Sequence, residues 1–338
     1  MSEPGLKRSW NYWDERDIMA GENHKFRVAS VGDLVADLIV TIPHLPVVPD
    51  VHQIVHQIKF EPGGAGNFLI AGSRLDMDMI ALGTIGDDMF GSAIVDILDE
   101  QGVDVDGVLI QEDTGSTTVI VLVDDAGEHV FLGGYGVGPT IGFPSHWKVL
   151  IDGCSAVFAS GYTFREQRLA DAALSAMRYA QQIGVTVFFD PGPDMVHLPE
   201  DHVQEILSSS NILLLTMEEI HSVTGGEGGI DAVMSLLQAP VEMVCVKRGA
   251  EGCIIYSTTG TIEHRGYDVQ VRDTTAAGDS FAAAFIYAYL KSWSLEQIAA
   301  FSNAMGAAKV KKVGSGTQVP TAEEIRSVLK RFDVGLDF

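Results

Sequence analysis

Positive charge is what this chain has least of: 22 lysines and arginines face 46 aspartates and glutamates, for a formal charge of −24. Such a surface repels the backbone of nucleic acids and the face of an anionic membrane, so neither is expected as a main partner. An anionic ligand must then be held locally, by backbone N–H groups, a helix N-terminus or a divalent cation. Cysteine is also sparse. Cys154, Cys245 and Cys253 are too few and too spread for a disulfide framework and lack metal-ligand spacing, which fits a reducing cytoplasm. They read as small apolar residues beside strand-like runs. No apolar stretch reaches the roughly 18 residues needed to span a bilayer. Residues 1–25 mix charges with Trp10, Tyr12 and Trp13, lack the apolar segment of a secretory signal, and are expected to form an N-terminal arm. The GxxxxGK[ST], GxGxxG, HExxH, GxSxG and CxxC signatures are missing as well. Gly32-Asp33-Leu34-Val35-Ala36-Asp37 puts carboxylates where a dinucleotide's pyrophosphate would sit, which argues against a dehydrogenase.

What is present is ample apolar side chain, 46% of the residues against 20% charged, enough for a folded core. The run Phe26 to Val40 begins as a strand and then presents Asp33 and Asp37. Val51 to Phe60 alternates like a half-exposed strand, with His52 and His56 as solvent-facing positions and no third ligand to make them a metal pair. Gly63, Gly64 and Gly66 open a helical segment, and Ser92 to Gly102 reads as an amphipathic helix closed by glycine. Two β-rich runs around Asp124 to Gly127 signal a hairpin. From Ser155 onward, AVFAS, TVFFD, ILLLT and MVCVKR alternate with helical segments, the pattern of repeated βαβ units. The expected architecture is one α/β domain over residues 26–338. It is a doubly wound, mostly parallel sheet flanked by helices, with a small β-sheet lid from about 41–62 and 115–140.

The sharpest local feature is DTTAAGDSFAAAFIYAYL, Asp273 to Leu290. Small residues at Ala276, Ala277 and Gly278 let a ligand approach the backbone, and the apolar run behind them suits a buried helix. The free N–H groups and positive dipole end of that helix would attract a phosphate. Asp279 is then either a capping carboxylate or a base that takes a proton from an attacking hydroxyl.

This segment resembles the C-terminal signature of the ribokinase family of carbohydrate kinases, the PfkB type, D-T-x-[AG]-[AG]-G-D. The resemblance runs through nearly the whole chain after the arm. It implies ATP-dependent phosphorylation of a hydroxyl on a small sugar, with Asp279 as base and Ala276, Ala277 and Gly278 as anion hole. Members often have glycine where Ala276 stands, and alanine keeps the N–H contact provided its φ stays negative. By the same likeness Asp33, Asp37, Gly63, Gly64 and Asn67 would bind the acceptor. Ile85 to Gly91 resembles the family's GxDxxG turn. Lys247, Gly249, Gly252, Asn303 and Thr216 would lie at the nucleotide, and Gly314 in the matching C-terminal loop. Glu219 would hold Mg²⁺ through water, and Asp273 and Thr275 stand where many members bind a monovalent cation such as K⁺. Asp190 would face the active-site edge or simply cap a strand, and it stays outside the catalytic set.

The ranking of acceptors that follows is a neutral ketose or pentose, then a nucleoside, then a phosphosugar. Ala65 replaces the lysine of ribokinases proper, and Lys59 and Arg74 are the basic residues between Asp33 and Gly91. A catalytically weak sugar-binding regulator is the rival from another class. An exposed lid edge is expected to pair two subunits into a homodimer.

Overall fold

The computed structural model describes residues 25–338 apart from 127, 135, 137, 138 and 166, so the expected arm lies outside the described residues except for Lys25. The strands, in chain order, are β1 (Arg27–Val31), β2 (Leu34–Thr41), β3 (Gln57–Gly64), β4 (Asp78–Gly86), β5 (Val108–Gln111), β6 (Thr118–Val123) and β7 (His129–Gly134). They continue with β8 (Ala156–Ser160), β9 (Thr186–Asp190), β10 (Ile212–Thr216), β11 (Met243–Lys247), β12 (Cys253–Ser257) and β13 (Gly260–His264). Nine of them form one sheet in the order β13-β12-β11-β10-β9-β8-β1-β4-β5. Strands β5 to β11 of that order run parallel, and β12 and β13 turn back antiparallel at one edge. Because the strands that follow β1 build first to one side and then to the other, the winding reverses beside it. The crevice at the carboxyl ends of β1 and β8 is where a doubly wound sheet binds ligands. The parallel strands are apolar because helices cover both faces, leaving one apolar layer on each side of the sheet.

The second sheet, β3-β2-β6-β7, is the lid. It corrects the expected boundaries. The chain leaves the main sheet at Gly32 and Asp33, and Leu34–Thr41 is already a lid strand, pairing antiparallel with β3 and parallel with β6. Residues Phe26 to Val40 are apolar on both sides of that break, so periodicity alone could not reveal a change of sheet. Val51 to His56 does not form a strand. β3 is in register with β2 from Leu34↔Gly64 to Thr41↔Gln57, so residues before Gln57 run past the end of their partner. His52 and His56 are exposed, and His56 lies 3.5 Å from Asp125.

Helix Ala277–Leu290 is buried from Ser280 to Ala288, as its apolar run anticipates, and packs against helices Ala65–Ser73 and Leu295–Lys309. Phe68, fully buried on the Ala65 helix, stacks on Phe158 of β8 at a ring separation of 4.0 Å. Truncating such an aromatic costs about 3–5 kcal/mol, and here it would also loosen the helix that carries Asn67. Among the described residues no helix is long and apolar enough to cross a membrane. The three cysteines are free thiols, Cys245 and Cys253 buried.

Candidate active site

At the phosphate end, the Ala277–Leu290 helix begins without a side-chain cap, so its first turn opens into the cleft. Ala276 precedes it at φ 59°, ψ 14°. The negative φ expected of an alanine there is therefore not found, and the residue sits in the left-handed region that disfavours a Cβ by about 1–2 kcal/mol. The Ala277 N–H closes a turn on the Thr274 carbonyl at 3.1 Å, so it is not a free member of the anion hole. Beyond Gly278 there is open space, bounded by the Lys247 ammonium 3.9 Å from where a Cβ would stand. An uncapped helix N-terminus facing an ammonium across a glycine is a phosphate cradle, so this end fits the nucleotide that the sequence implies.

Asp279, the third residue of the helix, is half-buried at the floor of the cleft. Its Oδ2 accepts from Asn67 Nδ2 at 3.0 Å, and Asn67 Oδ1 accepts from Gly316 N at 2.7 Å. Because Gly316 can only donate, the Asn67 amide orientation is fixed. Both ends of that amide are engaged, so Asn67 orients Asp279, where the sequence suggested an acceptor contact. Burial, reinforced by the negative charge of Asp190, pushes the Asp279 carboxyl up to about 7, against the opposing bond from Asn67.

At the acceptor end, Asp37 on β2 is buried, and Ser315 Oγ donates to its Oδ2 at 2.6 Å. Burial lifts this carboxyl to about 6, with the Ser315 bond opposing and the charge of Glu61 adding to the rise. Glu61 is directly opposite on β3. It anchors the C-terminal loop through Thr317, accepting from its N–H at 2.8 Å. Gly63 is required here because a Cβ would fall 2.3 Å from the Asp37 carboxyl. Gly64 turns the chain from β3 into the Ala65 helix. Asp33, also buried, ties the same turn together by accepting Ala65 N at its backbone carbonyl, 3.0 Å.

Two residues outside the expected set complete the cleft. Asp190, at the carboxyl end of β9, accepts from Lys247 Nζ at 2.5 Å, with Glu219 4.0 Å from the same ammonium. Burial alone would lower the Lys247 proton affinity, but Asp190 and Glu219 outweigh it and hold the ammonium above the ordinary lysine range. Burial raises Glu219 while Lys247 pulls it back. The strand-end position of Asp190 was the available signal. Arg168, 4% exposed, brings its guanidinium to 3.9 Å from Asp33 Oδ1 and donates to Gln111 Oε1 at 3.2 Å. It comes from the first turn of helix Gln167–Gln182, the second helix after β8, across the switch point from β1. A count of basic residues confined to Asp33–Gly91 could not include it.

Several nucleotide candidates have structural duties. Thr216 caps helix Met217–Val223, accepting Glu219 N at 3.2 Å while Glu219 accepts Thr216 N at 2.7 Å. Asn303 donates to Ala299 O at 2.8 Å and faces Cys253 and His264. Gly249 and Gly252 bound the turn from β11 to β12, where Arg248 N donates to Gly252 O at 2.8 Å. Asp273 Oδ1 accepts from Thr275 N and Oγ1 at 2.9 and 2.7 Å, and Oδ2 accepts from Gly314 N at 2.7 Å. In the expected GxDxxG turn, Asp88 caps its helix through Gly91 N and holds Ser116 at the base of the lid.

The protein-family model described as "pfkB family carbohydrate kinase" matches residues 25–322. The chain is 32% identical over 308 residues to the ATP-dependent ribose-1-phosphate kinase of Halopiger xanaduensis, an alignment covering 91% of this chain and 99% of that protein. In fold it is similar to a putative ribokinase II from E. coli, with TM-score 0.81 and 22% identity over 90% of this chain and 99% of the other. It is likewise similar to Arabidopsis thaliana ribokinase complexed with ribose and ATP, with TM-score 0.77 and 23% identity over 91% and 99%. The match spans the lid, the acceptor cleft and the Asp279 helix alike, and the chain belongs to the pfkB family of carbohydrate kinases.

Proposed function

We propose that this protein transfers the γ-phosphoryl group of ATP to a hydroxyl of a small sugar, with Asp279 as the general base. The observation that carries this reading is the Asp279 carboxyl itself. It sits at an uncapped helix start with open space at Gly278 facing the Lys247 ammonium, oriented by Asn67, with a proton affinity near neutrality. Phosphoryl transfer asks a protein for alignment, charge neutralisation and a base. Asp279 takes the hydroxyl proton as that oxygen attacks phosphorus. The N–H groups of Ala276 and Gly278 and the helix dipole receive the transferred group, and Lys247 offsets its charge. Glu219, through water, and Asp190 are the carboxylates that would hold magnesium carried with the nucleotide, which would supply charge neutralisation at the phosphates. With Thr216 and Asn303 engaged elsewhere, Lys247 and Gly249 are the strongest remaining nucleotide contacts. Asp33 and Asp37 hold acceptor hydroxyls, and the lid excludes competing water. A cytoplasmic setting goes with the use of ATP.

Within this reading the acceptor is a ketose or pentose, with a nucleoside as the alternative. A phosphosugar is a second reading in its own right, favoured by the Arg168 guanidinium in the acceptor cleft. The relative named a ribose-1-phosphate kinase agrees with it. Turnover of ATP against a panel of free sugars, nucleosides and sugar phosphates decides among these. ATP turnover with none of them would overturn the kinase reading in favour of a sugar-binding regulator. A homodimer through the lid also belongs to this proposal, since Ile58, Phe131 and Leu132 are 63%, 52% and 54% exposed on that sheet. Light scattering that gives a monomer mass would exclude it.

A further inference from the structure

Lys309 ends helix Leu295–Lys309 and is 0% exposed. A lysine so placed is rare, because removing an ammonium from water is costly unless partners replace the water. Its Nζ donates to the Lys312 carbonyl at 3.1 Å; burial lowers its proton affinity below the ordinary lysine range, and the carboxylates of Asp273 and Asp279 oppose that fall. It therefore lies where two loops meet, the one leading into the anion hole and the one closing the acceptor cleft. Backbone bonds join the same loops: Arg272 N and Asp273 N both donate to Val310 O, at 2.7 and 3.2 Å. This is also the neighbourhood of the monovalent cation expected at Asp273 and Thr275, and those side chains are already engaged with the protein. Both Asp273 oxygens accept from protein donors, and Thr275 turns its hydroxyl toward Asp273. Those three bonds leave the Asp273 carboxylate one acceptor position, and a cation taking it would meet the repulsion of the nearby ammonium.

We propose that the Lys309 ammonium is a built-in cation that positions the anion-hole loop, so that phosphoryl transfer by this protein requires no monovalent metal ion. The proposal rests on the kinase reading above. Its test measures turnover and, separately, ATP binding by calorimetry, using the full chain in potassium, sodium and tetramethylammonium chloride at equal ionic strength. The kcat and the ATP Kd should each agree within about twofold across the three salts. Lys309→Met should lose at least about tenfold in kcat in tetramethylammonium, and potassium or ammonium ions should restore at least about threefold, a rescue that a purely structural lysine would not show. Saturable activation of the parent by potassium beyond about fivefold would overturn the proposal. So would a Lys309→Met protein as active as the parent in tetramethylammonium. If that variant does not fold, the salt comparison on the parent decides alone. Should no acceptor be turned over, the kinase reading fails. ATP affinity equal in all three salts would still support the built-in cation, and potassium-dependent affinity would reject it.

Discussion

Replacing Asp279 by Asn separates chemistry from stability, because the structure assigns the carboxyl opposite effects on the two. In turnover the loss should be large: a positioned general base contributes about 10²–10⁴-fold, and Asn keeps the shape and can still accept the Asn67 bond. In stability the sign reverses. The folded chain holds the Asp279 proton with an affinity of about 7 against 3.8 for an unperturbed carboxyl, so folding is progressively disfavoured as pH rises between those values. At about 1.36 kcal/mol per tenfold change in acidity, the full difference is roughly 4 kcal/mol. Because the cleft side of the carboxyl meets water, a gain of about 2 kcal/mol is the more realistic expectation. Asp279→Asn should therefore be more stable than the parent at pH 8 and lose that advantage near pH 4. Denaturant melts of both proteins at the two pH values, alongside ATP turnover at pH 8, make the comparison. Turnover surviving within about tenfold would refute the base assignment. Parallel pH–stability curves for the two proteins would refute the buried-carboxylate argument.

The parent's kcat/KM should rise with pH and level off above about 7, as Asp279 deprotonates; a flat profile from pH 5 to 8 would contradict this. Lys247→Met leaves Asp190 and Glu219 facing each other without their cation, and chemical denaturation should show a loss of about 3–5 kcal/mol. Asp37→Asn should raise the acceptor KM at least about tenfold while the ATP KM stays within about twofold, and equal losses for both would point to a folding role. Ala276→Gly relieves a left-handed alanine, so its melting should show no loss, or a gain of up to about 1 kcal/mol, in place of the usual penalty for glycine near a helix. Arg168→Gln should cut kcat/KM for sugar phosphates at least about 100-fold and leave free sugars within about threefold; equal effects on both would remove the second reading.

The sequence alone determined the alternation of strands and helices after Ser155, the glycine-to-helix turn at Gly64 and the buried helix behind Asp279. Each is a local matter of periodicity, φ freedom or apolar content. It also supplied Asp33, because a strand end announces itself where an apolar run stops, and Asp37, because a carboxylate in the middle of an apolar run needs a reason to be there. Only the tertiary structure decided that Leu34–Thr41 belongs to the lid, since that depends on which strand it pairs with and not on its own pattern. The same holds for the side chains that meet across long separations. Asn67 reaches Asp279 over 212 positions and Asp190 reaches Lys247 over 57. Arg168 joins Asp33 because the winding of the sheet reverses between β1 and β8. Thr216 and Asn303 show the converse: their positions came from a family likeness, Thr216 standing where the motif has asparagine, and only the fold shows that they also cap a helix and bond its backbone. Spacing along a chain fixes only neighbours on one element, whereas the cleft is assembled by the sheet, which sets side by side the carboxyl ends of strands far apart in the chain.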